Sequence, residues 1–244
     1  MKDKKDFIYS QYREKVADFV FDSKVVSVFD DMIRRSVPGY ATVIAMTKVF
    51  AEQYAVAGSN CYDLGCSLGA STLAIRKGIE GRSCQIIAID NSQAMIDRCK
   101  EIIQSDISDV NVDVRLGDIR DTRIENASVV VLNFTLQFLA PQVRDDLIKK
   151  IYDGMIPGGV LVLSEKIAFE NDTENNFQIN MYHDFKRLNG YSDTEISQKR
   201  KSLENVLMPD FLPDHFNRLA CAGFDEYYMW FQCFNFCSMA AFKK

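Results

Sequence analysis

Glycine and proline are scarce in this chain, which has 12 glycines and 5 prolines among its 244 residues. Together they make up about 7% of the chain against a usual ~12%, which excludes collagen-like and low-complexity proteins. Hydrophobic residues are 47% and charged residues 26% of the sequence, so a folded globular protein is expected rather than a disordered one. With so few glycines available, those that stand close together predict places where the backbone requires them.

The chain also lacks a basic excess, a metal-ligand pattern and a long apolar run. Its 29 basic and 34 acidic residues give a net charge of −5, so we expect no direct binding of nucleic acid. Two histidines and seven cysteines without a C-x-x-C pair predict no metal site. The N-terminus has no apolar segment typical of a signal peptide, and no apolar run approaches membrane-spanning length. We therefore expect a cytoplasmic protein without membrane contact.

Strand and helix patterns alternate between about residues 60 and 164. Short apolar runs predict strands at 61–64, 85–89, 111–116, 128–133 and 160–164. Helical spacing predicts helices at 40–54, 71–77, 92–104 and 141–155. This alternation is typical of a parallel α/β sheet covered on both faces. A helix near 213–222 and two aromatic strands follow, and these strands lie too close in sequence for a crossover, which predicts an antiparallel hairpin.

We interpret residues 1–244 as one domain with two additions to the sheet. Residues 1–54 predict a helical N-terminal arm or lid, and residues 165–210 predict a helical insertion over one end of the sheet. Residues 170–207 have no strand signal and predict two helices, and Ser192 with Glu195 matches a capping box at the start of the second helix.

A glycine loop between the first predicted strand and its helix is the most informative short motif. Gly65 and Gly69 flank Ser67, which stands where a dinucleotide fingerprint has its middle glycine, so the spacing does not fit a pyrophosphate motif. Such a loop lets the backbone and the helix N–H groups come close to a ligand. A tight turn without a ligand is the alternative.

Polar residues end the next three strands of the predicted sheet. Asp90 can accept hydrogen bonds from both hydroxyls of a ribose, and Asp118 can accept one from the exocyclic amine of an adenine. Asn133 presents an amide where the buried strand ends. Each of the three could instead cap a helix or close a turn. Their common place at the carboxyl ends of strands favours a ligand site, because open α/β sheets bind ligands there.

These motifs resemble those of class I S-adenosylmethionine-dependent methyltransferases. The resemblance is carried by Asp63-x-Gly65-x-Ser67-x-Gly69, by Asp90, by Gly117-Asp118 and by Pro157-Gly158-Gly159. It implies a Rossmann-like α/β fold with a mostly parallel seven-stranded sheet and an antiparallel last strand.

Longer segments are similar, nearly end to end, to the carboxy-S-adenosyl-L-methionine synthase family. They are residues 36–40, 62–69, 87–92, 131–138, 183–187, 197–200 and 230–236. The resemblance implies an enzyme that converts S-adenosyl-L-methionine and prephenate to carboxy-S-adenosyl-L-methionine and phenylpyruvate. A sulfonium ylide would capture the carboxyl group that prephenate loses as CO₂. The resemblance also implies a homodimer whose product serves a separate enzyme that carboxymethylates the tRNA wobble uridine.

The resemblance assigns site residues position by position. The implied cofactor-binding residues are Tyr40, Asp63, Gly65, Cys66, Ser67, Asp90, Asn91, Asp118, Ile119 and Asn133. Arg200 matches the family's carboxylate-binding position, which suits a guanidinium because it binds carboxylates through two hydrogen bonds. A solvated helix face is the alternative for Arg200, and an ordinary aromatic at a helix start is the alternative for Tyr40.

The remaining candidates for substrate contact and proton transfer are weaker. Arg187, Arg34 and Arg35 could contact the acid, with a solvated surface as the alternative. No side chain is distinguished as a general base, and we interpret His183 and His215 as structural. Breakdown of prephenate would then supply the base, and the enzyme would act by positioning its substrates.

Two other functions are compatible with the same residues. One is an ordinary S-adenosylmethionine-dependent methyltransferase that acts on a small acid held by the arginines. The other is a non-catalytic protein that keeps the fold to bind a partner, which Ser67 and the missing base permit. The sequence leaves open whether Arg200 would act in its own subunit or in a neighbouring one.

Overall fold

A computed structural model describes residues 4–244, and residues 1–3 of the predicted arm lie outside the described residues. The helices are α1 Ser23–Val26, α2 Phe29–Ser36, α3 Tyr40–Tyr54, α4 Ala70–Gly78, α5 Gln93–Ser105, α6 Arg144–Gly154, α7 Asp172–Leu188, α8 Asp193–Leu203 and α9 Leu212–Ala222. The strands are β1 Asn60–Leu64, β2 Gln85–Asp90, β3 Val112–Leu116, β4 Ala127–Asn133, β5 Met155–Ala168, β6 Asp210–Phe211, β7 Glu226–Cys233 and β8 Phe236–Phe242. Short 3₁₀ helices cover Leu136–Phe138 and Pro141–Val143. No helix within residues 4–244 is long and apolar enough to cross a membrane.

Seven strands lie in the order β3-β2-β1-β4-β5-β8-β7. The first five of these are parallel to one another, whereas β8 runs antiparallel to both β5 and β7. The prediction of a mostly parallel seven-stranded sheet with an antiparallel last strand is therefore confirmed. The short β6 pairs with the end of β5, off this path. Sequence analysis missed β6 because two residues are too few for a periodic pattern.

The sheet is buried on both faces, which explains the continuous apolar runs in its central strands. On one face, Val129 and Val131 belong to a cluster with buried residues of α3 and α4. On the other face, Val130 and Leu132 belong to a cluster with buried residues of α6 and α9. The four side chains are fully buried, and the two clusters fix the register that brings the strand ends to one edge.

The predicted elements are found with some changes of boundary. The predicted helix 141–155 is divided into a 3₁₀ turn and α6. The predicted strand 160–164 is the centre of the longer β5, which pairs with β8 as far as Lys166. The capping box of α8 is confirmed, because Ser192 accepts from the Glu195 N–H and the Glu195 carboxylate accepts from the Ser192 N–H.

The N-terminal arm is helical only from Ser23 onward, since residues 4–22 contain no helix. Its backbone is held instead by Gln198 of α8, whose amide donates to the carbonyls of Tyr9 at 2.8 Å and Gln11 at 2.9 Å. The same side chain accepts from the Arg13 N–H at 2.6 Å. These bonds satisfy backbone groups that a helix would otherwise pair. The arm thereby lies against the insertion.

Candidate functional site

A cavity of about 380 Å³ lies at the carboxyl ends of the central strands, where open α/β sheets bind ligands. Its volume is in the range of small-molecule sites. Nine of the ten residues predicted to bind the cofactor line this cavity, namely Tyr40, Gly65, Cys66, Ser67, Asp90, Asn91, Asp118, Ile119 and Asn133. The tenth, Asp63, is outside the lining.

The glycine loop has a backbone that only small residues tolerate. Gly65 has φ +86°, and a Cβ atom at this position would lie 2.3 Å from Thr135 Oγ1. Ser67 has φ +50°, which is the left-handed region where glycine is favoured. This conformation explains why related loops commonly have glycine at this place, and it costs Ser67 about 1 kcal/mol.

Asp90 fastens the end of β2 to this loop. Its Oδ2 accepts from the Ser67 N–H at 2.9 Å, and its Oδ1 accepts from the Ser92 N–H at 2.9 Å. Burial raises the pKa of Asp90, and the hydrogen bonds from Ser92 and Ser67 limit the rise. Ser92 itself caps α5 by accepting from the Met95 N–H, so Asp90 is not the helix cap. Each carboxylate oxygen keeps a lone pair for a ligand hydroxyl.

Asp63 lies inside the protein behind the loop and is 1% exposed. Its Oδ2 accepts from Thr72 Oγ1 at 2.6 Å, which joins β1 to α4. Burial raises the pKa of Asp63 to about 7, and the charge of Asp90 adds to the rise. The geometry therefore makes Asp63 a support of the loop, and direct contact with a ligand stays a prediction.

Asp118 and Asn133 line the cavity, but both are already engaged with protein groups. Asp118 pairs with Arg120 at 2.6 Å, and this bond lowers the pKa of Asp118, so the carboxylate stays ionised. The Asn133 amide donates to Ser71 Oγ at 2.9 Å and accepts from Ser164 Oγ at 2.7 Å. Asn133 thus joins β4 to α4 and β5, and only its remaining lone pair is available to a ligand.

Tyr40 is the first residue of α3 and belongs to a largely aromatic part of the cavity wall. Its ring centroid lies 6.3 Å from that of Phe134, and burial raises the pKa of its hydroxyl, which stays a neutral donor. The phenylalanines of the cavity wall are Phe19, Phe21, Phe29, Phe134, Phe138 and Phe236. Sequence analysis missed them because apolar rings in a periodic pattern predict core positions.

Three lysines of the cavity were also missed: Lys166 on β5, Lys186 on α7 and Lys199 on α8. Within residues 4–244, none of their Nζ atoms has a carboxylate oxygen within 4.0 Å. Burial lowers the pKa of Lys166 and of Lys186 to about 8 and that of Lys199 to about 7. Basic residues in polar helices ordinarily predict a solvated face, so the sequence context of Lys186 and Lys199 gave no signal.

Arg200 is exposed and does not line the cavity of its own chain. Its charge nevertheless acts on the same region, because it contributes after burial to the lowered pKa of Lys166. His183 lies near this region too, and its pKa is lowered by burial and then by the charges of Lys186, Lys166 and Arg200. A contact between Arg200 and substrate stays a prediction.

The weaker arginine candidates lie outside the cavity lining. Arg187 is exposed and pairs with Asp184 and Asp193. Arg35 pairs with Asp31 at 3.0 Å and donates to the Asn189 carbonyl at 2.7 Å. The neighbouring Arg34 is exposed, and the buried His215 lies beside Arg218. None of these side chains offers a group to the cavity.

Comparison with known proteins adds sequence and fold relationships. A family model described as a methyltransferase domain matches residues 62–159. The carboxy-S-adenosyl-L-methionine synthases of Shewanella sediminis and Shewanella pealeana are each 56% identical over 243 residues, covering 100% of both chains. The synthase of Shewanella halifaxensis is 54% identical with the same coverage.

Solved structures share the architecture at much lower identity. A putative S-adenosyl-L-methionine-dependent methyltransferase from Methanococcus maripaludis aligns with a TM-score of 0.59 at 19% identity, covering 96% of this chain and 97% of its own. Human N-acetylserotonin methyltransferase aligns with a TM-score of 0.58 at 16% identity, covering 91% of this chain and 55% of its own. These alignments show that the fold is that of class I methyltransferases.

Proposed function

The chain belongs to the carboxy-S-adenosyl-L-methionine synthase family, and we propose that it converts S-adenosyl-L-methionine and prephenate to carboxy-S-adenosyl-L-methionine and phenylpyruvate. The protein is an enzyme that produces carboxy-S-adenosyl-L-methionine, and prephenate as carboxyl donor is the finer part of the proposal. The observation that supports this part is that one cavity contains both the loop and strand-end acids of a nucleoside site and three lysines that have no carboxylate partner within residues 4–244.

The residues of the nucleoside end fit S-adenosyl-L-methionine. Asp90 would accept from the ribose hydroxyls, and Asp118 would accept from the adenine amine. Gly65 is required in the loop because a Cβ atom there would meet the Thr135 side chain, and Tyr40 would cover the ligand from α3. The phenylalanine wall excludes water from the reacting groups, which strengthens the electrostatic interactions inside the cavity.

The proposed reaction balances without an oxidant or a metal. In prephenate the bond between the ring and its carboxylate breaks, and the electron pair makes the ring aromatic as the ring hydroxyl leaves. The hydroxide takes a proton from the sulfonium methyl and becomes water. The resulting carbanion, which the adjacent sulfonium stabilises, forms a bond to the CO₂. The protein's part is to hold the two substrates in reacting geometry.

Mass spectrometry of the nucleoside after incubation with prephenate tests the proposal. We expect a product that carries one additional carboxyl group, together with phenylpyruvate. Formation of S-adenosylhomocysteine and a methylated acid would instead support an ordinary methyltransferase. A protein whose melting temperature is unchanged by every S-adenosylmethionine derivative would be a non-catalytic member of the fold.

The wider context of the reaction is part of the same proposal. We propose that residues 1–244 act as one domain, with 1–54 as a lid and 165–210 as an insertion over the site, and that two copies form a homodimer. A separate enzyme would use the product to modify the tRNA wobble uridine. We propose that the protein is cytoplasmic, and its net charge of −5 supports the view that it does not itself bind the RNA.

A further inference from the structure

We propose that Lys166, Lys186 and Lys199 together bind the two carboxylates of the acid substrate, an inference that rests on the proposed function. The three side chains come from β5, α7 and α8 and line the same cavity. Each ammonium group offers three hydrogen-bond donors. They therefore form a dicarboxylate site that is separate from the nucleoside end.

The surroundings of the three ammonium groups are aromatic rings and a thioether. Lys199 Nζ lies 3.5 Å from the ring centroid of Phe19 and 3.1 Å from Met32 Sδ. Lys166 Nζ and Lys186 Nζ lie 5.1 Å and 5.4 Å from the ring centroid of Tyr182. Cation–π contacts offset part of the cost of burial but do not neutralise the charge. Buried cations without counter-ions are costly, so an arriving anion gains the pairing that the described residues do not supply.

The three lysines act on one another as a connected group. The charge of Lys166 lowers the pKa of Lys186, and the charge of Lys186 lowers the pKa of Lys199, in each case after burial. Two carboxylates act in the opposite direction, Asp6 on Lys186 and Lys199 and Glu195 on Lys186. Both acids are already hydrogen-bonded elsewhere.

Asp6 and Glu195 are hydrogen-bonded to other side chains, so they leave the lysine cluster with a net positive charge. Asp6 Oδ2 accepts from the Tyr191 hydroxyl at 2.7 Å, and Glu195 Oε2 accepts from the Ser192 hydroxyl at 2.7 Å. Neither acid comes within 4.0 Å of a lysine of the cluster. Among residues 4–244, the three lysines therefore face the cavity without a directly paired carboxylate, which suits a ligand with two negative charges.

The sheet separates the lysine cluster from the nucleoside end, which leaves space for two substrates side by side. Strand order puts β1 and β4 between β2, which ends at Asp90, and β5, which carries Lys166. Three strand spacings place the strands β2 and β5 about 14 Å apart. The Lys166 N–H donates to Gln137 Oε1 at 2.9 Å, which fixes the strand where the lysine enters the cavity. A dianion bound at Lys166 would lie beyond the glycine loop as seen from Asp90. This is the side toward which the sulfonium group would extend from the ribose.

The charge count also predicts selectivity between substrate and product. Prephenate carries two carboxylates and phenylpyruvate carries one, so the lysines would hold the substrate more tightly. Loss of the ring carboxyl group to the nucleoside removes one of the charges that the cluster binds. The product acid is thereby released more readily than the substrate.

The test replaces each lysine singly with methionine, which keeps most of the length and removes the charge. Lys201→Met is the matched control, because Lys201 is an exposed residue on the same helix as Lys199. We expect the KM for prephenate to rise at least about tenfold in the three cavity variants, since each loses a charge-assisted hydrogen bond. The Kd for S-adenosyl-L-methionine should stay within about twofold of wild type, which also reports on folding. The proposal is overturned if no cavity variant differs from Lys201→Met in the KM for prephenate, or if nucleoside affinity falls in parallel.

Calorimetric titration of prephenate into the nucleoside-bound protein separates this proposal from the proposed function. Wild type that binds prephenate without forming carboxy-S-adenosyl-L-methionine, with binding lost in the lysine variants, supports the lysine site and contradicts the proposed reaction. Wild type that forms the product while the lysine variants bind prephenate normally contradicts the lysine site alone. Wild type that neither binds nor converts prephenate contradicts both.

Discussion

Asp90 Oδ2 accepts a hydrogen bond from the backbone nitrogen of Ser67 at 2.9 Å, so the acid that ends β2 holds the loop that follows β1. The bond is made to a residue with φ +50°, a conformation that costs a non-glycine residue about 1 kcal/mol. Strained backbone near a cavity is maintained by its surroundings. Asp90 is the part of those surroundings that also faces the proposed nucleoside.

The left-handed backbone predicts how Ser67 responds to substitution. Ser67→Gly relieves the strain but adds freedom to the unfolded chain, so the free energy of unfolding should change by less than about 1 kcal/mol. Ser67→Val places a β-branched side chain at positive φ and should lose about 1–2 kcal/mol relative to Ser67→Gly. Urea unfolding monitored by circular dichroism measures both. Equal stability of the two variants would contradict the assigned backbone conformation.

Replacement of Asp90 by asparagine tests its proposed role at the ribose. Asp90→Asn keeps the shape of the side chain but removes the negative charge and one acceptor oxygen. We expect the Kd for S-adenosyl-L-methionine to rise at least about tenfold, because hydrogen bonds to charged groups are the stronger ones. Isothermal titration calorimetry gives the Kd. Asp97→Asn, at an exposed position on α5, is the control and should bind as wild type does, whereas an unchanged Kd in Asp90→Asn would exclude a ribose contact.

The sheet and the nucleoside end could be predicted from the sequence, because both depend on local patterns. Buried parallel strands leave apolar runs, and strand-end residues such as Asp90 and Asp118 follow those runs directly. The lysine cluster could not be predicted in this way. Lys166, Lys186 and Lys199 come from three elements whose convergence depends on the packing of α7 and α8 beside β5. No regular spacing of residues in the sequence predicts that packing.

Burial of Lys199 predicts a pH-dependent cost in stability. Its pKa is lowered to about 7 in the folded protein, against about 10.4 in an unfolded chain. Between these values the unfolded chain binds more protons, so the contribution of Lys199 to the free energy of unfolding becomes more favourable as pH rises. Lys199→Met should therefore be more stable than wild type at neutral pH, and the difference should shrink toward pH ~10. Urea titrations across this range measure the effect.

The control for this experiment is again Lys201→Met. Because Lys201 is exposed, its replacement removes a surface charge and gives the reference pH dependence with which Lys199→Met is compared. A Lys199→Met variant that follows the same pattern would show that Lys199 is ionised at no cost in the folded protein. The comparison requires no substrate, so it tests the buried charge independently of the reaction.

A buried arginine beneath the insertion predicts a larger loss of stability. Arg144 is 1% exposed in its side chain, pairs with Asp210 at 2.7 Å and donates to the carbonyls of Leu139 at 2.8 Å and Met208 at 2.9 Å. Arg144→Met leaves the two carbonyls without this donor and leaves Asp210 paired with Arg218 alone. We expect a loss of about 3 kcal/mol in the free energy of unfolding. Arg187→Met removes only exposed ion pairs and should leave the urea midpoint unchanged. Similar urea midpoints in the two variants would contradict a stabilising role for the buried bonds of Arg144.

Arg200 does not line the cavity of its own chain, although the family resemblance implies that it binds a carboxylate. In the proposed homodimer, Arg200 would reach the cavity of the neighbouring subunit. We expect Arg200→Ala and Asp90→Ala homodimers to be inactive, and a mixed dimer of the two chains to regain activity. In the mixed dimer, the Arg200→Ala chain keeps an intact nucleoside site and receives Arg200 from its neighbour. Activity is measured as carboxy-S-adenosyl-L-methionine formed by dimers purified through two different affinity tags. A mixed dimer that stays inactive, beside an active Lys201→Ala control, would place the action of Arg200 within its own subunit.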